Sequence, residues 1–356
     1  MQTREWISSR WFIALSGLLI GLVTAFLSRM GNPFNGGIAP TCFIRDTAGA
    51  LGLHAGAAFQ YLRPELAGLV LGGFLSAAAF KEFRPRGGSA PLLRFFLAML
   101  LMVGALTFLG CPTRVIVRLA GGDGNALAGL GGMLLGIFGG VALIKRGFDL
   151  GRNRPLPPAA GFVAPLAAIG LLLLIFLRPA FVQESTTGWG AEHAAVGISL
   201  VGGLVIGALA QRTRLCFMGA WRDLFLLRDT QLLTGVVAFF LGCLGGNLFF
   251  GQFQPGFADQ PLAHSHQLWN FLGMVLVGLA AAMLGACPLR QMVLTGQGDH
   301  DAAVTVLGMV AGAALTHNFD LSSCSGKIAE YGPPAVIAAL VLCLALGLTM
   351  RPRDDA

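Results

Sequence analysis

The chain carries one signature twice. Cys111-Pro112-Thr113-Arg114 and Cys287-Pro288-Leu289-Arg290 lie 176 positions apart, and at the same offset Val117 matches Val293, Gly122 matches Gly298, Asp123 matches Asp299 and Ala126 matches Ala302. A long apolar run ending in glycine leads into each copy, Leu97 to Gly110 and Phe271 to Gly285. A second pair recurs at nearly the same spacing: Cys42-Phe43 before Arg45-Asp46, and Cys216-Phe217 before Arg222-Asp223. Such a repeat constrains the fold strongly, because each copy has to form the same unit and that unit has to pack against its twin.

The repeated unit reads as membrane-embedded. Only 12% of the 356 residues are charged and the mean hydropathy is +0.73, which leaves too little polar surface for a soluble domain of this length. Apolar stretches approach the roughly 20 residues that span a bilayer, and the 51 glycines suit closely packed membrane helices. Seven cysteines without a CxxC pair argue against a zinc ribbon and a thioredoxin-type centre. Trp11 to Ser28 reads as a signal anchor rather than a cleaved signal peptide.

Hydropathy predicts an all-α polytopic membrane protein of about ten spans, near 11–28, 64–80, 92–110, 126–144, 161–178, 195–211, 231–250, 268–286, 302–317 and 334–350. Residues 29–63 and 212–230 are too polar and glycine-rich to span, yet hold two of the cysteine segments. All four cysteine segments are expected to be re-entrant loops with short half-helices, since irregular backbone survives at membrane depth only where protein or a water-filled cavity covers it. Most Lys and Arg fall in segments 1–10, 81–94, 145–154, 212–228 and 351–353, and 251–267 has none. The positive-inside rule then puts both termini in the cytoplasm of a plasma (inner) membrane protein.

Each repeat has four spans and one more lies between the copies, so the second copy is inverted and the substrate site is expected at the midplane of an hourglass. The expected division is a first repeat over 1–144, a cytoplasmic linker over 145–160, a connecting span and external loop over 161–194, the inverted second repeat over 195–317, and an external loop, last span and cytoplasmic tail over 318–356.

The repeated motif suits an anion path. A proline fits the first position of a helix, which places Cys111 and Cys287 at caps that face unpaired N–H groups and the positive dipole end. That position and a nearby arginine both favour thiolate. Arg114 and Arg118 are four apart and share a face, whereas in the second copy Arg290 is kept and Leu294 replaces the second arginine. The first copy is therefore expected to hold anions more strongly. Cys42, Cys111, Cys216, Cys287, Arg114, Arg118 and Arg290 are the candidate path residues. Arg45, Asp46, Arg222 and Asp223 either line that path or form ion pairs that hold the loops, and Asp123 and Asp299 either cap the next helix or pair with arginines. Cys324 with Lys327 is either a first capture point or a plain loop cysteine. Cys243 and Cys343 read as packing residues inside spans. His264, His266 and His317 show no metal-ligand spacing, and His54 and Trp189 have no assigned role. No metal or cofactor is expected.

The segments Gly110-Cys111-Pro112, Ala286-Cys287-Pro288 and Arg214-Leu215-Cys216-Phe217 with Trp221-Arg222-Asp223 resemble the YeeE/YedE sulfur-transport family across nearly the whole chain. Cys-Pro-x-Arg in the first half with Gly121-Gly122-Asp123-Gly124-Asn125 resembles its YedE selenium-transport branch. The resemblance implies an inverted hourglass in which loop cysteines pass a thiosulfate-like anion along through S–H···S contacts, here at Cys42, Cys111 and Cys287, with Cys216 as a fourth. It also implies a small TusA-like sulfurtransferase as cytoplasmic partner. Arg114, Arg118 and Cys324 depart from the thiosulfate importer and point toward a selenium oxyanion or another reduced chalcogen species.

The expected function is a permease, not an enzyme, importing a sulfur- or selenium-containing anion. No ATP-binding motif is present. The alternatives are a membrane thiol enzyme, which would need cysteines that meet in space, and a scaffold that docks a sulfurtransferase.

Overall fold

A computed structural model of the protein describes residues 9–350. The ends on which the orientation partly rests, 1–8 and 351–356, lie outside the described residues. The chain is an all-α polytopic membrane protein. Its first half runs α1 (Arg10–Arg29), short α2 (Pro40–Ala50), α3 (Pro64–Ala79), α4 (Pro91–Phe108), short α5 (Pro112–Ala120) and α6 (Asn125–Lys145). After α7 (Val163–Leu177) the same succession returns: α8 (Val196–Thr213), short α9 (Gly219–Leu227), α10 (Gln231–Phe249), α11 (Gln267–Leu284), short α12 (Pro288–Gly296) and α13 (His300–Asn318), followed by α14 (Gly332–Thr349). A two-stranded ribbon, β1 (Arg86–Gly87) with antiparallel β2 (Arg154–Pro155), ties the α3–α4 loop to the segment after α6.

Local chemistry sets these boundaries. Ser9 caps α1 by accepting the Phe12 N–H at 3.2 Å, and the Asp299 carboxylate caps α13 by accepting the Ala302 N–H at 3.0 Å. Proline opens α2, α3, α4, α5 and α12 at a position where its missing N–H is no loss. Among the described residues, eight helical segments are long and apolar enough to cross a membrane. Two of them, Pro91–Ala120 and Gln267–Gly296, run through the Cys-Pro turn into the short helix beyond it. The α3 helix is apolar but has only 16 residues. The α7 helix is apolar on every side and mostly exposed, with Leu173, Phe176 and Leu177 all more than half accessible, which is stable only against lipid.

The helix pairs come in exchanged partners. The first helix of one half packs on the third of the other, α1 on α10 and α3 on α8. The fourth packs on the sixth, α4 on α13 and α6 on α11. Glycines make these approaches close, as van der Waals packing between membrane helices demands. A Cβ at Gly132 would strike the Phe271 carbonyl, and one at Gly308 would strike the Phe95 carbonyl. These two contacts are the same contact displaced by 176 positions in both partners.

Candidate substrate path

The four short helices bring the cysteines together in two pairs. In the first half, Pro40 opens α2 and leaves Cys42 in its first turn, while Cys111 is the extended N-cap of α5. Thr41 and Cys42 lie beside the Cys111 thiol, and both cysteines are fully buried. In the second half, Cys287 is the extended N-cap of α12, and Cys216 ends the turn before α9. The Cys216 sulfur accepts the N–H groups of Gly219 and Cys287, each at 3.2 Å. Two backbone donors on one sulfur favour its anionic form. The Cys216 sulfur and the Cys287 backbone therefore meet, and Cys42 lies near the Cys111 thiol.

Each pair has a motif arginine held by carbonyls. Arg114 is fully buried and donates to the carbonyls of Asn35, Leu262 and Pro261 at 3.0, 3.2 and 3.4 Å. Its guanidinium lies 4.7 Å from the centre of the Trp189 ring. Arg290 donates to the Ala210 carbonyl at 2.9 Å and lies in the field of Cys216. Among the described residues neither arginine has a carboxylate partner within ion-pair distance. A guanidinium in that state keeps an uncompensated positive charge where water is scarce, which is what an anion path requires.

The remaining charges are mostly spoken for. Arg118 bonds the Asp123 carboxylate at 2.6 Å and the Phe108 carbonyl at 2.9 Å, so it is chiefly an ion-pair residue, although one of its nitrogens stays buried without a partner. Asp46 is shared by Arg45 at 2.7 Å and Arg63 at 2.8 Å, with all three side chains buried. Arg63 continues to the carbonyls of Trp189 and Glu192, each at 2.9 Å. Arg222 pairs with Asp223 at 2.8 Å and donates to the Gly285 carbonyl. Both readings of the repeated aspartates hold: Asp123 pairs with Arg118 and accepts the Asn125 N–H, and Asp299 caps α13 and pairs with Arg86 at 2.7 Å.

The surroundings of the two pairs differ. Trp189, the Pro261–Leu262 segment and Asn35 surround Arg114 of the first half. Beside it, Thr41 Oγ1, Thr113 Oγ1, Arg45 Nη1 and Trp189 Nε1 are buried with no hydrogen-bond partner. In the second half, Arg290 lines an open cavity of about 770 Å³ together with Arg84, Arg86, Arg212 and Arg214, and the buried Cys216 and Cys287 do not line it. Cys324 is exposed in a turn closed on Lys327, pinned by the Ser323 N–H on the Leu106 carbonyl and the Gly326 N–H on the Ala263 carbonyl. That turn sits on the covered side, next to the segment that holds Arg114.

Cys243 donates to the Gly21 carbonyl and Cys343 to the Met283 sulfur, so both are engaged in helix packing. His54 stacks on His317 with ring centres 4.4 Å apart, and its Nε2 meets the Arg45 carbonyl. Burial, reinforced by the charge of Arg45, lowers the pKa of His54. Burial also lowers His264 to about 4, aided by the charges of Arg118 and His266, while its Nε2 donates to the Thr107 carbonyl at 2.8 Å. Trp189 and Arg63 are the contributors that the sequence alone did not single out. Trp189 lies 75 residues from Arg114, and an indole flanked by Gly188 and Gly190 gives no hint of that partner.

No curated protein matches the chain. Residues 212–347 match the family profile described as sulphur transport, a span that contains Cys216, Arg222, Asp223, Cys287 and Arg290. That span is less than half of the chain and holds one of the two cysteine pairs, and over it the chain is similar to the sulphur-transport family.

Proposed function

We propose that the protein is a permease that carries a small sulfur- or selenium-containing anion across the plasma membrane, through a constriction made by the pairs Cys42/Cys111 and Cys216/Cys287. The family match supports a role in sulphur transport. The observation that carries the finer reading is the recurrence of one device: a cysteine at a proline-led helix N-terminus beside an arginine that only backbone carbonyls hold. Arginine and helix dipole attract the anion, and a polarizable sulfur favours a soft sulfur or selenium atom over hard sulfate.

In this reading the halves 1–144 and 195–317 are inverted repeats, joined by a cytoplasmic linker at 145–160 and the span within 161–194, with both termini inside. The exchanged helix partners support it, as does the basic composition of the segments around the open cavity. The cavity then opens to the cytoplasm, where a TusA-like sulfurtransferase would collect the anion. Cys324 and Lys327 would meet it first on the outside. A membrane thiol enzyme is the second reading, and the contact between Cys216 and the Cys287 N–H favours it.

The test is purified protein in liposomes offered labelled thiosulfate, selenite, sulfite and sulfate without reductant. Passage of thiosulfate or selenite unchanged, with sulfate held back, is the expected result. Equal passage of sulfate removes the role given to the thiols, and appearance of reduced product favours the enzyme.

A further inference from the structure

The cavity that Arg290 borders carries a charge pattern of its own. Its lining includes Arg84, Arg86, Arg212, Arg214 and Arg290 against Glu82, Asp223 and Asp229. Arg212 is paired with Glu82 at 3.1 Å, Arg86 with Asp299, and Asp223 with Arg222. Asp229 has no arginine partner among the described residues and caps the next helix by accepting the Gln231 N–H at 2.8 Å. Arg84, Arg214 and Arg290 have no carboxylate within ion-pair distance among the described residues. Three unpaired guanidiniums facing one unpaired carboxylate leave the cavity two positive charges in excess.

Backbone geometry fixes where these charges stand. Arg214 is the C-cap of α8 in the left-handed conformation, at a φ of 56°, which turns the chain sharply between α8 and Cys216. The Arg84 N–H is tied to the Gln297 carbonyl, so its segment is clamped to the end of α12. Arg290 is nearly buried and uses one of its nitrogens on Ala210. Two exposed guanidiniums, Arg84 and Arg214, and the nearly buried Arg290 form a funnel that strengthens inward as the dielectric falls.

We infer that this cavity is a binding station for a small dianionic oxyanion, held by Arg84, Arg214 and Arg290, and that it recognises charge rather than sulfur. The inference rests on the permease reading and divides its labour. The vestibule accepts any tetrahedral dianion of suitable size, sulfate included, and the adjacent cysteine pair decides which of them passes. Sulfate is therefore a ligand of the vestibule and a competitor of transport without being cargo.

The experiment uses the full chain in nanodiscs and measures equilibrium binding of labelled sulfate, with perchlorate as a tetrahedral monoanion of similar shape. Sulfate is expected to bind and perchlorate to displace it at least about tenfold less well. Arg84→Gln and Arg214→Gln are each expected to weaken sulfate binding about three- to fivefold, the range of a partly solvated charge contact, and raised salt should weaken it in the wild type. Cys343→Ser, a packing residue away from the cavity, should leave binding intact. Equal displacement by perchlorate, or unchanged binding in the Arg84→Gln, Arg214→Gln double variant, overturns the inference. In liposomes, sulfate on the cavity side should inhibit thiosulfate passage competitively. Sulfate that binds in this way and also crosses the membrane would overturn the thiol filter while leaving the vestibule standing.

Discussion

The two halves place the same motif in opposite states. In the first, Cys42 and Cys111 are fully buried, and the motif arginine lies against Trp189 and is gripped by three carbonyls from Asn35, Pro261 and Leu262. In the second, the motif arginine is gripped by one carbonyl and borders an open cavity. The Arg-Asp pair that follows each Cys-Phe shows the same contrast: Arg45–Asp46 is inaccessible, whereas Arg222–Asp223 is 29% and 17% exposed. Near-identical local sequence thus gives a closed end and an open end. The segments that differ between the halves set the outcome: the 178–195 connection that supplies Trp189, and the basic turns that line the cavity. In the inverted-repeat reading proposed above, one closed and one open half-site is the arrangement that alternating access requires.

The largest expected effect removes the feature that both ends share. Cys111→Ser and Cys287→Ser should each lower uptake more than about tenfold, because serine keeps the size and a donor but loses the polarizable sulfur. Uptake and thermal stability should be measured together on each. Normal transport by both variants would make the repeat a packing motif around an electrostatic pore.

The second prediction sharpens the contrast in burial. Asp46→Asn leaves Arg45 and Arg63 without their shared counter-charge in a dry site and should cost about 3–5 kcal/mol. Asp223→Asn removes a partner from a half-solvated arginine and should cost under about 1 kcal/mol. Equal losses in denaturation of the two variants would mean that the ends are equally wet, against the observed burial.

A third prediction tries to turn the closed end into an open one. Trp189→Ala removes the ring over Arg114. Cys42 or Cys111 should then react with a small membrane-impermeant thiol reagent added from the side of Cys324, at least about fivefold faster than in wild type, on a Cys324→Ser background. Thiol reactivity follows access as well as thiolate content. An unchanged labelling rate would assign the cover to the Pro261–Leu262 segment instead.

Much of this was legible in the sequence, for identifiable reasons. Proline after cysteine marks a helix start, so the caps at Cys111 and Cys287 follow from local rules, and the apolar runs give the spans. The proposed division into halves rests on the recurrence of the motif at a fixed offset. Partner choice among the charges was not legible. Arg114 and Arg118 look alike four residues apart on a helix, yet only Arg118 meets a carboxylate, since Asp123 lies just past the end of the same short helix. Arg63 looked like a loop residue and joins the buried network at Asp46. Trp189 acts through contacts made by tertiary folding alone. The expectation that the first copy holds anions more strongly meets a site whose arginine is already occupied by carbonyls and whose cysteines are covered, while the cavity lies at the second.

The smallest expected effect concerns a cysteine that belongs to neither end. Cys343 sits in α14, fully buried, with its thiol 3.5 Å from the Met283 sulfur. That contact joins α14 to α11 by dispersion between polarizable atoms rather than by charge. Serine there loses some of this packing, but its hydroxyl can bond back to the carbonyl one turn earlier, as Thr349 does to Ala345 at 2.7 Å. Cys343→Ser should therefore change stability by no more than about 1 kcal/mol and leave uptake within about twofold of wild type. The variant serves as the control for every other thiol substitution. A collapse of transport in it would extend the sulfur path into α14 and break the assignment of function to the two repeated pairs, because Cys343 has no counterpart in the repeat and no arginine beside it in the chain.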